Sequence, residues 1–214
     1  MADDLVVVGA GGFGREALDV VEDINAAAPS QVWNVVGVVD DAPSTVNLDR
    51  LAARRATYVG TVEDLLGRVD RPRYVVGIGS PSVRRSIAEN LEAAGLNAAT
   101  LVHPAATLGR PVEVGAGTVV CAGARVATNV TLGRHVHLTP NVSVGHDTTL
   151  GNFVSMNPAS SVSGDCTIGE GVLVGVGAVV LNQLIVGANA VVGGGACVVT
   201  HVLSGATVKG VPAR

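Results

Sequence analysis

Aromatic side chains are almost missing from this chain, at 2% of 214 residues, so no ring-packed core can hold it together. Cysteine is nearly as scarce. Cys121, Cys166 and Cys197 are odd in number and have no metal-ligand spacing, which excludes a disulfide framework and fits a reduced, cytoplasmic protein. Charge of one sign is also lacking. The net charge of −4 with no basic run excludes the electrostatic footprint of a nucleic-acid or anionic-membrane binder. No apolar run approaches the roughly 18 residues of a membrane span, and Leu5–Val8 stops at glycine too soon for a secretory leader.

What is present is repetition. Seventeen consecutive hexapeptides run from Val102 to Leu203, and each begins with an aliphatic residue: Val102, Leu108, Val114, Val120 and so on to Val198. The second position is often glycine, as at Gly109, Gly133, Gly151 and Gly169, and the fifth is small or β-branched, as at Thr118, Thr148 and Cys166. Such a period specifies a solenoid, whose repeats bury their apolar faces only against neighbours. A helix would recur at three and four, so the reading is a parallel β-helix with one short strand per hexapeptide. Three hexapeptides make a triangular coil, and residues eighteen apart stack at the strand spacing of about 4.7–4.9 Å. Glycine supplies positive φ or close approach at the corners.

Residues 1–100 follow a different pattern, that of a small α/β unit with a parallel sheet. Strands are expected at Leu5–Val8, Val35–Val39, Tyr58–Val59, Tyr74–Ile78 and Ala98–Leu101, with helices near Arg15–Ala28, Val62–Leu66 and Val83–Ala94. The solenoid then occupies residues 101–214. Directly after the first strand comes Gly9-x-Gly11-x-x-Gly14, a fingerprint for a pyrophosphate-bearing nucleotide at a helix start. The unit is about half the size of a six-stranded dinucleotide domain, which favours a nucleotide over NAD. A glycine-rich turn without a ligand is the bland alternative. Asp40 and Asp41 end the second strand, either as acceptors for a base or ribose or as a solvated strand end.

His146 falls at the third position of its hexapeptide, a corner, and Asp147 follows it. A histidine beside a carboxylate suits a general base at neutral pH. A solvated corner histidine is the alternative. The other histidines, His103, His135, His137 and His201, do not stack with it, which speaks against a zinc enzyme of carbonic-anhydrase type.

The segments "GAGGFGRE", "VVDD", "VSVGHDTTLG" and "GVPAR" together resemble the NeuD/PglD-type sugar acyltransferases over essentially the full length. The resemblance implies a small Rossmann-like nucleotide-sugar-binding domain followed by a left-handed β-helix that binds acetyl-CoA, although general crossover rules favour the other hand. It implies a homotrimer with sites between neighbouring chains, and transfer of acetyl from acetyl-CoA to the amino group of a UDP-linked 4-amino-4,6-dideoxy sugar. O-acetylation of sialic acid is the alternative within the family, and a non-catalytic binding module the alternative outside it. No metal is called for. Gly9, Gly11, Gly12, Phe13, Gly14, Asp40 and Asp41 fall in the substrate domain, with Phe13 where the family's turn carries histidine. His146 and Asp147 match the catalytic pair, with Asp where relatives also use Glu. Gly164, one coil on, matches the glycine whose N–H holds the oxyanion. Ser155 stands where a second histidine is common near the thioester. Val176 and Gly194 match positions that touch the pantetheine arm, on a different corner from His146. Lys209 and Arg214 are either CoA-phosphate contacts or a solvated terminus.

Overall fold

The computed structural model describes residues 2–214, and the chain divides into two compact units at Leu101/Val102. In the first unit β1 (Asp3–Val8), α1 (Gly12–Ala27), β2 (Trp33–Val39), α2 (Thr45–Ala53), β3 (Tyr58–Gly60), α3 (Val62–Leu66), β4 (Arg73–Val76) and α4 (Pro81–Ala93) follow in order. The strands form one parallel sheet in the order β3-β2-β1-β4. Leu5, Val6, Val7 and Val8 are all buried, as a central parallel strand covered on both faces requires. The order reverses between β1 and β4, so a topological switch point lies at their carboxyl ends, where open α/β sheets bind ligands.

Several boundaries differ from the sequence reading. α1 begins at Gly12 rather than Arg15, because Gly11 serves as its N-cap through the backbone alone. Helix α2 has no counterpart in the expected elements; its cue was Ser44, whose hydroxyl accepts the Asn47 N–H. β4 ends at Val76, two residues early, and Ala98 makes only an isolated bridge to Tyr74. The strand at the boundary is instead Leu101–Val102.

The second unit is a left-handed parallel β-helix. Its strands, most of them two residues long, assemble into sheets of five, six and seven strands. Up to Cys197–Val198 each strand contains the sixth and first residues of the hexapeptide pattern, as in Ser143–Val144 and Thr149–Leu150. First-position residues point inward and form a nearly all-aliphatic column that includes Val144, Leu150, Met156, Val162 and Ile168. The eighteen-residue register holds from Thr107↔Arg125 to Val180↔Val198.

It then shortens. Val202 bridges Val186, and Thr207 and Val208 pair with Val191 and Val192, a register of sixteen. The run is therefore not free of slips to its end. Leu203 is 81% exposed, and Val202 takes the inward place that an unbroken count assigns elsewhere.

The corners separate two tasks for glycine. Positive φ belongs to the fourth position, at Asn129, His135, Asn141, Asp147, Phe153, Asp165 and others, together with Gly117, Gly171 and Gly177. Second-position glycines are needed for space. A Cβ on Gly151 would lie 2.7 Å from the Glu170 nitrogen, and one on Gly169 would lie 2.5 Å from that of Ala188. Gly169→Ala is accordingly expected to cost about 1–3 kcal/mol in urea unfolding, as overpacking against rigid backbone does. Gly177→Asn, with φ of 64° and open space around its Cβ, should change stability by less than about 0.5 kcal/mol.

Candidate active site

His146, Asp147 and Gly164 meet at one corner, where the six-stranded sheet (Ser143–Val144) turns toward the five-stranded one (Thr149–Leu150). Asp147 takes the left-handed fourth position at φ 57°, a conformation that Asp tolerates. Its Oδ2 lies 2.6 Å from His146 Nδ1, and its Oδ1 accepts the Asn129 amide, also at 2.6 Å. The Asn129 bond first and the imidazole second hold the Asp147 carboxyl below the usual carboxylate range. An ionised Asp147 assigns the proton to Nδ1 and leaves Nε2 as the basic nitrogen.

That ring lies over Gly164. A Cβ on Gly164 would stand 2.6 Å from both Cε1 and Nε2, so the glycine is required by the imidazole; its φ is not positive, and a special corner turn does not explain it. The Gly164 carbonyl accepts from Gln183, while its N–H donates to no group among the described residues. A basic nitrogen and an open N–H thus share one corner. Thr148 supports the turn from inside, bonding the carbonyl of Ser163 at 3.1 Å and, more weakly, that of His146 at 3.3 Å.

The remaining solenoid candidates lie elsewhere. Val176 and Gly194 are third-position residues at the corner between the seven- and six-stranded sheets, and Ser155 is a buried member of the seven-stranded sheet, beside His137. Val176 is 59% exposed. A Cβ on Gly194 would meet only ordinary contacts from 3.4 Å, so packing does not demand glycine there. Within one chain, therefore, the His146 corner and the Val176–Gly194 corner flank opposite edges of the six-stranded sheet. Lys209 and Arg214 close the C-terminal turn by pairing their own backbones at 3.0 and 3.1 Å. Among the described residues no group of three or more His, Cys, Asp or Glu converges as a metal set, and His135 instead stacks on Phe153 with centroids 5.3 Å apart.

In the first unit the glycine turn sits at the switch point. Gly9, at φ 113°, lies so close to Gly77 that a Cβ would be 2.9 Å from the Gly77 carbonyl oxygen, and Gly14 has no room for one against Gly9. Gly11 and Gly12 are different: a Cβ on either meets nothing within 4 Å. Phe13 is partly buried in the first turn of α1. Asp40 is a clamp, accepting Ala10 N–H at 2.8 Å and Ala42 N–H at 3.0 Å, one on each oxygen. Asp41 accepts Val62 N–H through Oδ1 alone, at 2.8 Å. An open cleft of about 520 Å3 beside Gly12 carries Arg15 and Arg50, and another of about 580 Å3 carries Asp41, Thr61 and Asn90.

Three side chains of these two regions escaped the sequence reading. Arg15 ties the Ala10 carbonyl to Asn47, and Arg84, fully buried in α4, donates to the carbonyls of Ile78 and Gly79 at 2.8 and 3.2 Å. Burial pushes Arg84 down to about 9, which still leaves it charged at neutral pH. Asn129 was legible in principle, since it stands one eighteen-residue coil before Asp147.

The family model of the PglD N-terminal domain matches residues 4–91. Over 100% of its length the chain matches the acetyltransferase domain of PglB from Neisseria gonorrhoeae, solved in complex with acetyl coenzyme A, at 32% identity and a TM-score of 0.84, covering 99% of that chain. The chain belongs to the PglD/NeuD-type family of sugar acetyltransferases. Within this family PerB from Caulobacter crescentus, solved with CoA and GDP-perosamine, is 27% identical over 100% of this chain and 97% of that one, with a TM-score of 0.84. WeeI from Acinetobacter baumannii is 25% identical over 100% and 99%, also with a TM-score of 0.84. No curated protein sequence matches. No helix of the described residues is long and apolar enough to cross a membrane.

Arg84 fixes the loop after β4, which with the glycine turn frames the switch point of this PglD-type domain. Arg84→Leu leaves two carbonyls without their charged donor and should cost about 2–4 kcal/mol in urea unfolding. A loss below about 1 kcal/mol would show that the loop holds itself.

Proposed function

We propose that the chain transfers acetyl from acetyl-CoA to the amino group of a nucleotide-linked amino sugar, with His146 as general base. The observation that carries this reading is the His146–Asp147 pair lying over an open Gly164 N–H in a member of this family. The sugar nitrogen attacks the thioester carbonyl carbon, and Nε2 of His146 takes the amine proton. Asp147 holds the ring in the required tautomer and balances its charge. The oxyanion of the tetrahedral intermediate accepts from the Gly164 N–H, an interaction of a kind worth about 2.7–4 kcal/mol in acyl transfer. As the intermediate collapses the C–S bond breaks, and the imidazolium returns its proton to the departing CoA sulfur. No cysteine nucleophile is needed; Cys166, the nearest along the chain, is buried and points its thiol at the carbonyls of Gly164 and Leu181.

Acetyl-CoA runs along Val176 and Gly194, with Ser155 as a neutral hydrogen-bonding residue near the thioester. The nucleotide sugar sits on the first unit. Gly11 and Gly12 carry no side chain although nothing in the protein fills that space, so the missing Cβ atoms make room for a diphosphate at the start of α1. The open oxygen of Asp41 is an acceptor for the base or ribose, while Asp40 holds the turn that Gly11 and Gly12 form. A UDP-linked 4-amino-4,6-dideoxy sugar is the acceptor of choice; PerB, solved with GDP-perosamine, makes a GDP-linked sugar the necessary second acceptor to try.

Acetyl-CoA turnover against UDP- and GDP-linked amino sugars, with sialic acid as the hydroxyl control, tests the reaction. His146→Ala should lower kcat by about 10²–10⁴-fold with little change in KM for acetyl-CoA. Gly11→Val should raise KM for the nucleotide sugar with little change in Tm, since a Cβ at this position meets nothing within 4 Å. A folded His146→Ala enzyme with more than half the wild-type rate would reduce His146 to a surface residue.

The two solenoid corners belong to opposite edges of one sheet, so base and thioester are brought together across neighbouring chains of a homotrimer. Light scattering should show three copies at working concentration. A monomer that still turns over acetyl-CoA would overturn the shared site.

A further inference from the structure

We infer that Asn129 is a positioning residue for the base: an amide supplied by the preceding coil that locks Asp147 onto His146. This deepens the reading of His146 as base and rests on it. Asn129 and Asp147 occupy the same fourth position of successive coils, with φ of 56° and 57°, so their side chains leave the corner side by side. The Asn129 Nδ2 donates to Asp147 Oδ1 at 2.6 Å, and this bond directs Oδ2 to His146 Nδ1, also at 2.6 Å. The side chains of His146 and Asp147 are 63% and 48% exposed, and burial alone therefore does not fix either one.

The next two coils give an internal comparison. Asp165 repeats Asp147, and Gln183 reaches its Oδ2 at only 3.4 Å. Of two carboxylates stacked one coil apart, only Asp147 has a short bond on each oxygen. Asp165 instead lies one coil beyond, its N–H bonded to the His146 carbonyl. The ionisable groups of this corner are His146, Asp147, Asp165 and, two coils before His146, Arg110, whose carbonyl accepts from the Thr128 hydroxyl at 2.5 Å. An amide is the donor that orients Asp147 without adding charge to that set.

Asparagine also suits the left-handed turn, and turn geometry alone would be met equally by glycine or aspartate. Asn129→Gly keeps the backbone and deletes the amide. Asn129→Asp keeps backbone and shape, replaces the donor by an acceptor and adds a negative charge. Asn189→Asp makes the same change at the fourth position of a corner that holds neither His146 nor Val176.

The test combines kinetics with NMR titration of the His146 ring in the full chain without substrates. Asn129→Gly is expected to keep the wild-type Tm and KM for acetyl-CoA while kcat falls roughly tenfold, the worth of one charge-assisted hydrogen bond. Asn129→Asp is expected to favour the imidazolium, moving the titration and the activity limb up by roughly 0.5–1 pH unit; Asn189→Asp should move neither. The ring titration reads Asn129 directly, whereas a fully active His146→Ala enzyme would fault the base assignment instead. An Asn129→Gly enzyme with wild-type kcat, or an Asn129→Asp titration that coincides with that of Asn189→Asp, overturns the inference.

Discussion

A single hexapeptide of the solenoid has two or three strand residues and one or two apolar side chains to bury, far too little to hold a conformation. Stability comes from hydrogen bonds to the coil eighteen residues on, such as Gly145 N–H to Val162 at 2.8 Å and Ser143 N–H to Ser160 at 3.1 Å. These bonds admit one register, because a slip of one residue would turn Val144, Leu150 and Met156 out of the core. Everything else in the unit depends on that lock. Aliphatic residues must recur at the first position, corners must clear the corners above them, and side chains of equal rank must lie in columns.

The columns are also what turns a corner into chemistry. The ladder engages the second, fourth and sixth N–H groups of each hexapeptide and leaves the third unspent. At the Arg134 corner the Asn152 side chain accepts from that group at 2.9 Å. At Gly164 it lies open beneath the His146 ring, whose Nδ1 meets Asp147, which in turn accepts from Asn129 at the same corner one coil before. Precise placement of exposed polar groups usually needs a buried second layer. Here the repeat provides it, since each fourth-position residue has a neighbour of the same orientation about 4.8 Å away.

The period, its register and the inward column were legible in the sequence because aliphatic spacing is dictated by burial alone. The His146–Asp147 corner and the stacked Gly164 followed from counting. What the sequence left open depends on which of two physical demands a residue meets. Glycine at a corner fits both positive φ and close approach, and only the backbone shows that the fourth position carries the first and the second position the other. Asp40 reads as a free acceptor from its place at a strand end, yet both its oxygens hold backbone N–H groups. Helix α2 was missed because TVNLDRLAA has a short apolar face and its start is signalled by Ser44 alone. The slip to a register of sixteen after Val198 showed in the sequence only as Ser204 at the next first position, whose inward place against Val186 is taken by Val202.

The two units solve one problem by related means. Each leaves backbone N–H groups outside its regular hydrogen bonding, at the start of α1 and at the third position of the corners, and each keeps side chains away from some of them with glycine. Where the glycine has an internal reason, as at Gly9, Gly14, Gly151 and Gly169, its replacement strains the fold. Where it has none, as at Gly11 and Gly12, an added Cβ meets no atom of the chain within 4 Å. Gly164 stands between these cases. Its missing Cβ admits the chain's own imidazole, so a side chain there would displace the His146 ring rather than the backbone.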